Sequence, residues 1–129
     1  MSKTISYDNF FGHHDLELEM YTYMTTGNMY IGLIEREEDG YPEHYDDLTK
    51  NLDEELPPYH AYVDTNNLPG AGEMIMKAGL GEPTGKYSVS GFCTYPLYRF
   101  HKEKLQEYCP EGVAIYEAAL QAPAKRRTR

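Results

Sequence analysis

The clearest strand signal in the sequence is Leu16-Glu17-Leu18-Glu19-Met20-Tyr21-Thr22-Tyr23-Met24, because apolar and polar side chains alternate along it. A period of two residues is typical of a β-strand with one buried and one solvated face. Thr25 to Asn28 then predicts a turn, since this segment supplies a residue that tolerates positive φ. Met29 to Arg36 is again rich in Ile, Leu and Tyr. The sequence therefore predicts a β-hairpin here.

Further strands flank this hairpin. We expect one over Thr4 to Phe11, joined to the hairpin by a polar connection at Gly12 to Asp15. Downstream, Glu37 to Tyr45 predicts an exposed acidic loop with Asp39-Gly40 and Pro42 in it. We expect the sheet to resume in the following segments: Tyr45 to Leu52, Tyr59 to Val63 and the extended aromatic run Tyr87 to Phe100.

Helical spacing appears late in the chain. Ala71, Met74, Ile75 and Ala78 recur at helical intervals until Gly79, a natural C-terminal stop. His101 to Tyr108 and Glu111 to Leu120 predict two helices, or one broken helix, around Cys109-Pro110. The expected fold class is α+β, an antiparallel meander sheet of about five strands with two or three short helices packed on one face.

The length of 129 residues fits one domain, which we expect over 1–121, followed by a flexible basic tail over 122–129. No apolar run approaches the roughly 18 residues of a membrane helix, and the N-terminus lacks signal-peptide features. We therefore expect a cytoplasmic protein. Only Cys93 and Cys109 are present, too few for a disulfide scaffold, so both are expected to be thiols.

Charge is the most informative property of the sequence. Between residues 35 and 55, ten acids and two bases account for -8 of the net charge of -9. Such a region repels nucleic acid and attracts a basic protein surface. A solvated loop is the simpler interpretation of this run, and the sharper one is a partner-binding surface that mimics phosphates. The candidate partner-binding residues are Glu35, Glu37, Glu38, Asp39, Glu43, Asp46, Asp47, Asp53, Glu54 and Glu55.

Several motifs suggest chemistry but fit simpler structural roles. His13-His14-Asp15 offers metal-binding side chains, yet neighbouring strand residues point to opposite faces, so a polar turn is expected. Gly79 to Gly85 lacks the context of a phosphate loop and predicts a helix cap and a tight turn. Asp39-Gly40-Tyr41 lacks the ligand order of an EF-hand. We predict no metal site and no cofactor.

The two cysteines leave an enzymatic alternative open. Cys93 could act as a nucleophile with His60 or His101 as its base, provided that imidazole and sulfur lie within hydrogen-bond reach. Cys109 could join Cys93 and His101 in a metal site of unusual spacing. Buried thiols are the simpler expectation, and we predict no catalytic residue.

Tyrosine is abundant, with 13 copies against 4 Phe and no Trp. Exposed tyrosines could stack on single-stranded nucleic acid, but such proteins pair aromatic residues with Arg and Lys, whereas acids dominate here. No direct nucleic-acid binding is therefore expected. Tyrosine-rich sheets also suit protein interfaces, and this leaves a homodimer open.

Three segments carry a family resemblance. They are Tyr62 to Asn67, Gly79 to Gly85 and Ser90 to Phe100, the last with the phrase Gly91-Phe92-Cys93-Thr94-Tyr95-Pro96. These segments resemble a family of short uncharacterised accessory proteins carried on plasmids and integrative conjugative elements of Firmicutes, related to segments of large polyvalent phage and plasmid proteins. The resemblance implies a mobile-element setting and no particular reaction.

Taken with the charge distribution, this setting favours a non-enzymatic inhibitor of a host defence complex that targets nucleic acid, of the anti-CRISPR or anti-restriction type. Its partner would be a nuclease or guide complex with a basic groove. The alternatives are a small enzyme or metal protein that uses Cys93, Cys109 and nearby His residues, and a homo-oligomeric accessory protein.

Overall fold

The computed structural model describes residues 3–121. These residues form three helices and eight strands, and the strands are arranged in two antiparallel sheets. The first sheet is a meander of β1 (Ile5–Asn9), β2 (Gly12–Thr22), β3 (Met29–Arg36) and β4 (Pro42–Asp47). The second has the order β5 (Thr49–Lys50), β6 (His60–Val63), β8 (Cys93–Phe100) and β7 (Gly81–Ser90). The α+β class and the meander are confirmed, and the strands divide into two sheets of four.

The division occurs at Leu48, between β4 and β5. The Leu48 N–H donates to the carbonyl oxygen of Ile31 on β3 at 2.9 Å, while its own carbonyl oxygen accepts from the N–H of Asp64 at 3.0 Å. Leu48 thus forms one backbone hydrogen bond with β3 of the first sheet and another with the residue that follows β6 of the second sheet. The Leu48 side chain is fully buried, which holds this corner inside the core.

The helices are α1 (Ala71–Lys77), α2 (Lys102–Tyr108) and α3 (Pro110–Leu120), close to their predicted positions. The α1 helix ends before Gly79, whose φ of +72° is the left-handed conformation that favours glycine. Apolar residues of all three helices join one core with the inward faces of both sheets. No helix in residues 3–121 has the length and apolar character needed to span a membrane.

Three predictions about loops were wrong. Gly12 to Asp15 is the first part of β2 and not a connection, because the turn lies at Phe10-Phe11. The acidic loop is shorter than expected, since β4 already begins at Pro42. The glycine-rich loop is also shorter than expected, because β7 begins at Gly81. A side chain at Gly81 would not fit beside β8, since its Cβ would lie 2.6 Å from the carbonyl oxygen of Arg99. The predicted basic tail over 122–129 lies outside the described residues.

Candidate functional site

The first sheet has one face in the core and one face outside it. The inward face of β2, with Leu16, Leu18 and Met20, packs into the core that contains the helices. The alternate residues point the other way, and we call them the outer face of the first sheet. The strand registers place five carboxylates and one guanidinium on the outer face: Asp8, Asp15, Glu17, Glu19, Asp47 and Arg36.

At one end of the outer face, His13 lies between two carboxylates. Its Nδ1 is 2.7 Å from Oδ1 of Asp8, and its Nε2 is 3.0 Å from Oδ1 of Asp15. Hydrogen bonds to Asp8 and then Asp15 raise the pKa of His13 above its ordinary value of 6.5. The charged imidazolium would donate to both carboxylates and hold them in place.

In the middle of the outer face, Arg36 binds Glu17 through its Nε, 2.5 Å from Oε2. A further guanidinium nitrogen of Arg36 donates to the carbonyl oxygen of Gly40 at 2.9 Å. One arginine therefore fixes a β2 carboxylate and the turn between β3 and β4. The positive charge of Arg36 is paired with only one of the five carboxylates on the outer face, that of Glu17.

At the other end, Asp47 accepts a hydrogen bond from the Tyr30 hydroxyl at 2.6 Å. Burial, followed by this hydrogen bond, raises the pKa of Tyr30, so its hydroxyl stays protonated as a donor. The space over Gly32 holds the Tyr30 hydroxyl and the Glu19 carboxylate, since a Cβ there would collide with both. The Tyr21 and Tyr30 rings stack beside them with 6.3 Å between centroids.

A second group of acids lies at the end of the β3–β4 hairpin. We define the acidic hairpin end by the following residues: Glu35, Glu37, Glu38, Asp39 and Glu43. The nearby charge of Glu43, with smaller effects of burial, Glu35 and Asp39, raises the pKa of Glu37. Like charges thus repel one another here. Glu35 has a separate contact, because its Oε2 lies 2.7 Å from Nδ1 of His14.

The third group of predicted acids, Asp53 to Glu55, is in a loop over the second sheet. Glu54 accepts from the Tyr62 hydroxyl at 2.8 Å, and Nδ2 of Asn28 donates to the Glu54 carbonyl oxygen at 2.6 Å. Leu56 packs with Tyr62 in a small apolar cluster beneath this loop. Acids in this loop therefore help to cover the second sheet.

The ten predicted partner-binding acids consequently belong to three places and do not form one surface. Five form the acidic hairpin end, Asp46 and Asp47 lie on β4, and three lie in the 53–55 loop. Sequence reasoning missed the other acids of the outer face, which are Asp8, Asp15, Glu17 and Glu19. The alternation of Leu and Glu in β2 was the signal for Glu17 and Glu19, since it places them together on the solvated side.

The structure separates the cysteine and histidine candidates. His60 pairs with Arg99, six residues along β8 from Cys93, which corresponds to about 20 Å along a strand. His101 lies still further along the chain, beyond the end of β8. No imidazole of this set is therefore placed to activate Cys93.

Cys109 lies in the main core, whereas Cys93 packs against the small cluster on the other side of the second sheet. Burial raises the pKa of the Cys109 thiol to about 11, so it is protonated at neutral pH and is a poor nucleophile. The two sulfur atoms are therefore not brought into one site.

The histidine pair also divides. His13 is on the outer face, and His14 points to the opposite face, where its ring lies 4.8 Å from that of Tyr45 between centroids. Residues 3–121 contain no group of three or more His, Cys, Asp or Glu side chains that could hold a metal ion.

Comparisons with known proteins bear on the family alone. No curated protein and no solved structure matches this chain. One family model, described as a domain of unknown function (DUF4313), matches residues 17–120, which run from within β2 to the end of α3. This match covers most of the chain, and the chain therefore belongs to the DUF4313 family.

Proposed function

We propose that this chain is a non-enzymatic inhibitor of a nucleic-acid-targeting defence complex, of the anti-CRISPR or anti-restriction type. The outer face of the first sheet and the acidic hairpin end together occupy a basic groove of the partner. Its targets act on intracellular nucleic acid, so the proposal includes a cytoplasmic site of action. No catalytic group, metal or cofactor takes part.

The observation that supports this proposal is the way the carboxylates are held. Asp15, Glu17 and Glu19 alternate along one strand, which spaces their Cα atoms about 6.6 Å apart. Their outer-face neighbours His13 and Arg36 fix two of them by hydrogen bonds. A regular row of anionic groups on a rigid sheet offers a basic groove the kind of charge pattern that a phosphate backbone offers.

The acidic hairpin end supports the same proposal through its energetics. Glu37 sits among like charges that raise its pKa, so this cluster works against the stability of the free protein. A basic partner surface would relieve that repulsion on binding. The resemblance to accessory proteins of mobile elements adds a setting in which an inhibitor of host nucleases is useful.

The test is inhibition of DNA cleavage by a panel of purified restriction enzymes and CRISPR effector complexes. We expect the wild-type protein to inhibit at least one of them at low salt. Inhibition should weaken steeply toward about 0.5 M NaCl, because salt at that concentration screens the attraction between charges that lie more than a few ångströms apart. Excess noncleavable duplex DNA should compete with the protein for the enzyme.

The informative variant is Glu37→Lys combined with Glu38→Lys, since both side chains are exposed at the acidic hairpin end. We expect inhibition to fall at least tenfold. The fold should remain intact, because the Glu37→Lys change sets an ammonium group near Glu43 and removes a repulsion. A charge-matched control is Glu73→Lys combined with Glu103→Lys, at exposed positions on α1 and α2. Equal loss in both variants, or no inhibition of any enzyme by the wild-type protein, would contradict the proposal.

A further inference from the structure

The second sheet of the described chain ends in a strand with a free edge. β7 pairs with β8 on one side and is the last strand of the sheet on the other. Its final residues, Tyr87 to Ser90, pair with Pro96 to Cys93 beside the turn at Gly91-Phe92. A free edge presents unpaired backbone groups, which proteins usually protect with charges, prolines or a covering segment.

The pairing shows which backbone groups face outward. Tyr87 lies opposite Pro96, which has no N–H and cannot exchange two hydrogen bonds with it. Hydrogen-bonded and non-hydrogen-bonded pairs alternate along antiparallel strands, so Val89 opposite Thr94 is also a non-hydrogen-bonded pair. The N–H and C=O groups of Tyr87 and Val89 therefore point away from β8, toward the free edge.

The side chains beside this edge are apolar and exposed. Tyr87 and Val89 are 65% and 68% exposed, and Phe92 at the turn is fully exposed. Tyr87 and Val89 lie on the same face of β7, two residues apart. Three large apolar side chains are thus exposed to solvent in one short hairpin.

This hairpin is also poor in acids, since Glu82 is the only Asp or Glu between Gly81 and Phe100. From residue 83 to residue 102 the sequence contains no Asp or Glu, although the net charge of the whole chain is -9. Two copies that approached through their acidic faces would repel each other. A second copy that approaches through the β7 edge therefore meets less electrostatic repulsion than one that approaches through the acidic first sheet.

We propose that a second copy of this chain docks here by antiparallel pairing of β7 with β7. A two-fold axis at Ser88 places Tyr87 opposite Val89 of the second copy, and Val89 opposite Tyr87 of the second copy. Both pairs use the backbone groups that face the free edge, so each exchanges two hydrogen bonds. The arrangement is self-complementary, as a two-fold interface requires, and it sets an aromatic ring against a β-branched side chain.

The size of this interface sets its strength. Tyr87 and Val89 still expose about two thirds of their surface, so one pair of edge strands forms an interface at or below the lower end of the specific range, about 1,200 Å² in total. We therefore expect a dimer that dissociates in the micromolar range. This inference is independent of the inhibitor proposal, because it uses a different sheet and no acidic residue.

Cross-linking at the axis tests the register. Ser88→Cys in a Cys93→Ser background places two thiols at a non-hydrogen-bonded pair, where Cα atoms are about 4.5 Å apart and a disulfide can form. We expect a disulfide-linked dimer on a non-reducing gel after incubation with oxidised glutathione. The matched control is Ser90→Cys in the same background. In the proposed register, residue 90 of one copy lies opposite residue 86 of the second copy, four residues away from the cysteine at position 90 of that copy. Its cross-linking should be at least tenfold slower.

Sedimentation of the reduced protein tests the dimer itself. The wild-type mass should rise toward twice that of one chain between about 1 and 500 µM, the range of a weak interface. Val89→Lys should remain monomeric throughout, since a lysine on the edge opposes pairing. Phe10→Lys, at an equally exposed turn of the first sheet, should behave as the wild type does. A wild-type monomer at 500 µM, or equal cross-linking of the Ser88→Cys and Ser90→Cys variants, would overturn the inference.

Discussion

The acidic side chains of the first sheet differ in what each one contacts. Asp8 and Asp15 share one imidazole, Glu17 binds a guanidinium, and Asp47 accepts from a tyrosine hydroxyl. Glu37, by contrast, is surrounded by other carboxylates. Charge alone therefore does not distinguish the acids that have hydrogen-bond donors beside them from the acids that lie beside other carboxylates.

His13 provides a direct check of this arrangement. We expect its NMR titration midpoint to lie above 6.5, and Asp8→Asn or Asp15→Asn to lower it, because each removes one hydrogen bond to the charged ring. The raised pKa means that its stabilising contribution is complete below about pH 6.5 and is lost as the pH rises through the folded-state value. A distant Asp53→Asn variant should leave the midpoint unchanged. An unshifted midpoint in the wild type would disprove the bridge.

At the scale of elements, the chain follows local patterns where they are strong. The β3 strand occupies Met29 to Arg36, as its apolar content predicted, and α1 ends at the predicted glycine. The prediction of a connection at Gly12 to Asp15 was wrong, since polar residues in β2 mark a solvated face and not a turn. His13 and Asp15 are polar because their face of β2 is solvated, whereas the turn itself uses the exposed Phe10 and Phe11.

The packing of α3 on β2 depends on a residue that a sequence pattern does not emphasise. Gly112, in the first turn of α3, lies so close to Met20 that an added Cβ would be 2.6 Å from the Met20 Cβ. The backbone of Met20 is almost as near, with its carbonyl oxygen at 3.0 Å. The absence of a side chain at Gly112 therefore sets how closely α3 approaches the sheet.

Replacing Gly112 should reveal this contact. Gly→Ala inside a helix normally stabilises by about 1 kcal/mol, yet here we expect Gly112→Ala to lower the free energy of unfolding by about 1–3 kcal/mol through overpacking. Urea denaturation followed by circular dichroism measures the change. Glu111→Ala, at an exposed position in the same turn, should change the free energy by less than about 0.5 kcal/mol. A stabilised Gly112→Ala variant would show that the helix can move away without cost.

At the scale of the whole molecule, one core joins the two sheets. It contains residues from the inward face of the first sheet, from β6 and β8, and from each helix. Leu48 stands where the chain passes from one sheet to the other, with backbone hydrogen bonds in both directions. A substitution at Leu48 therefore tests the prediction that residues 1–121 form a single domain.

We expect Leu48→Ala to lower the free energy of unfolding by about 2–5 kcal/mol, because it leaves a cavity in the core. If the chain is one cooperative domain, the far-ultraviolet signal of the backbone and the near-ultraviolet signal of the tyrosines should still change together. Met24→Ala, which truncates a fully exposed side chain, should have little effect. Two separate transitions in the wild type or the variant would mean that the sheets unfold as independent units.

Local periodicity and composition were sufficient to predict the α+β class, the central hairpin, the helices and the predominance of acids. Tertiary structure decided the rest. The corner at Leu48 divides the strands between two sheets, which depends on hydrogen bonds to Ile31 and Asp64 that lie far away in the sequence. Likewise, only the strand registers place Asp8, Asp15 and Asp47 on one face, and only they separate Cys93 from its candidate histidines. Contacts between distant residues depend on chain topology, which local side-chain patterns do not encode.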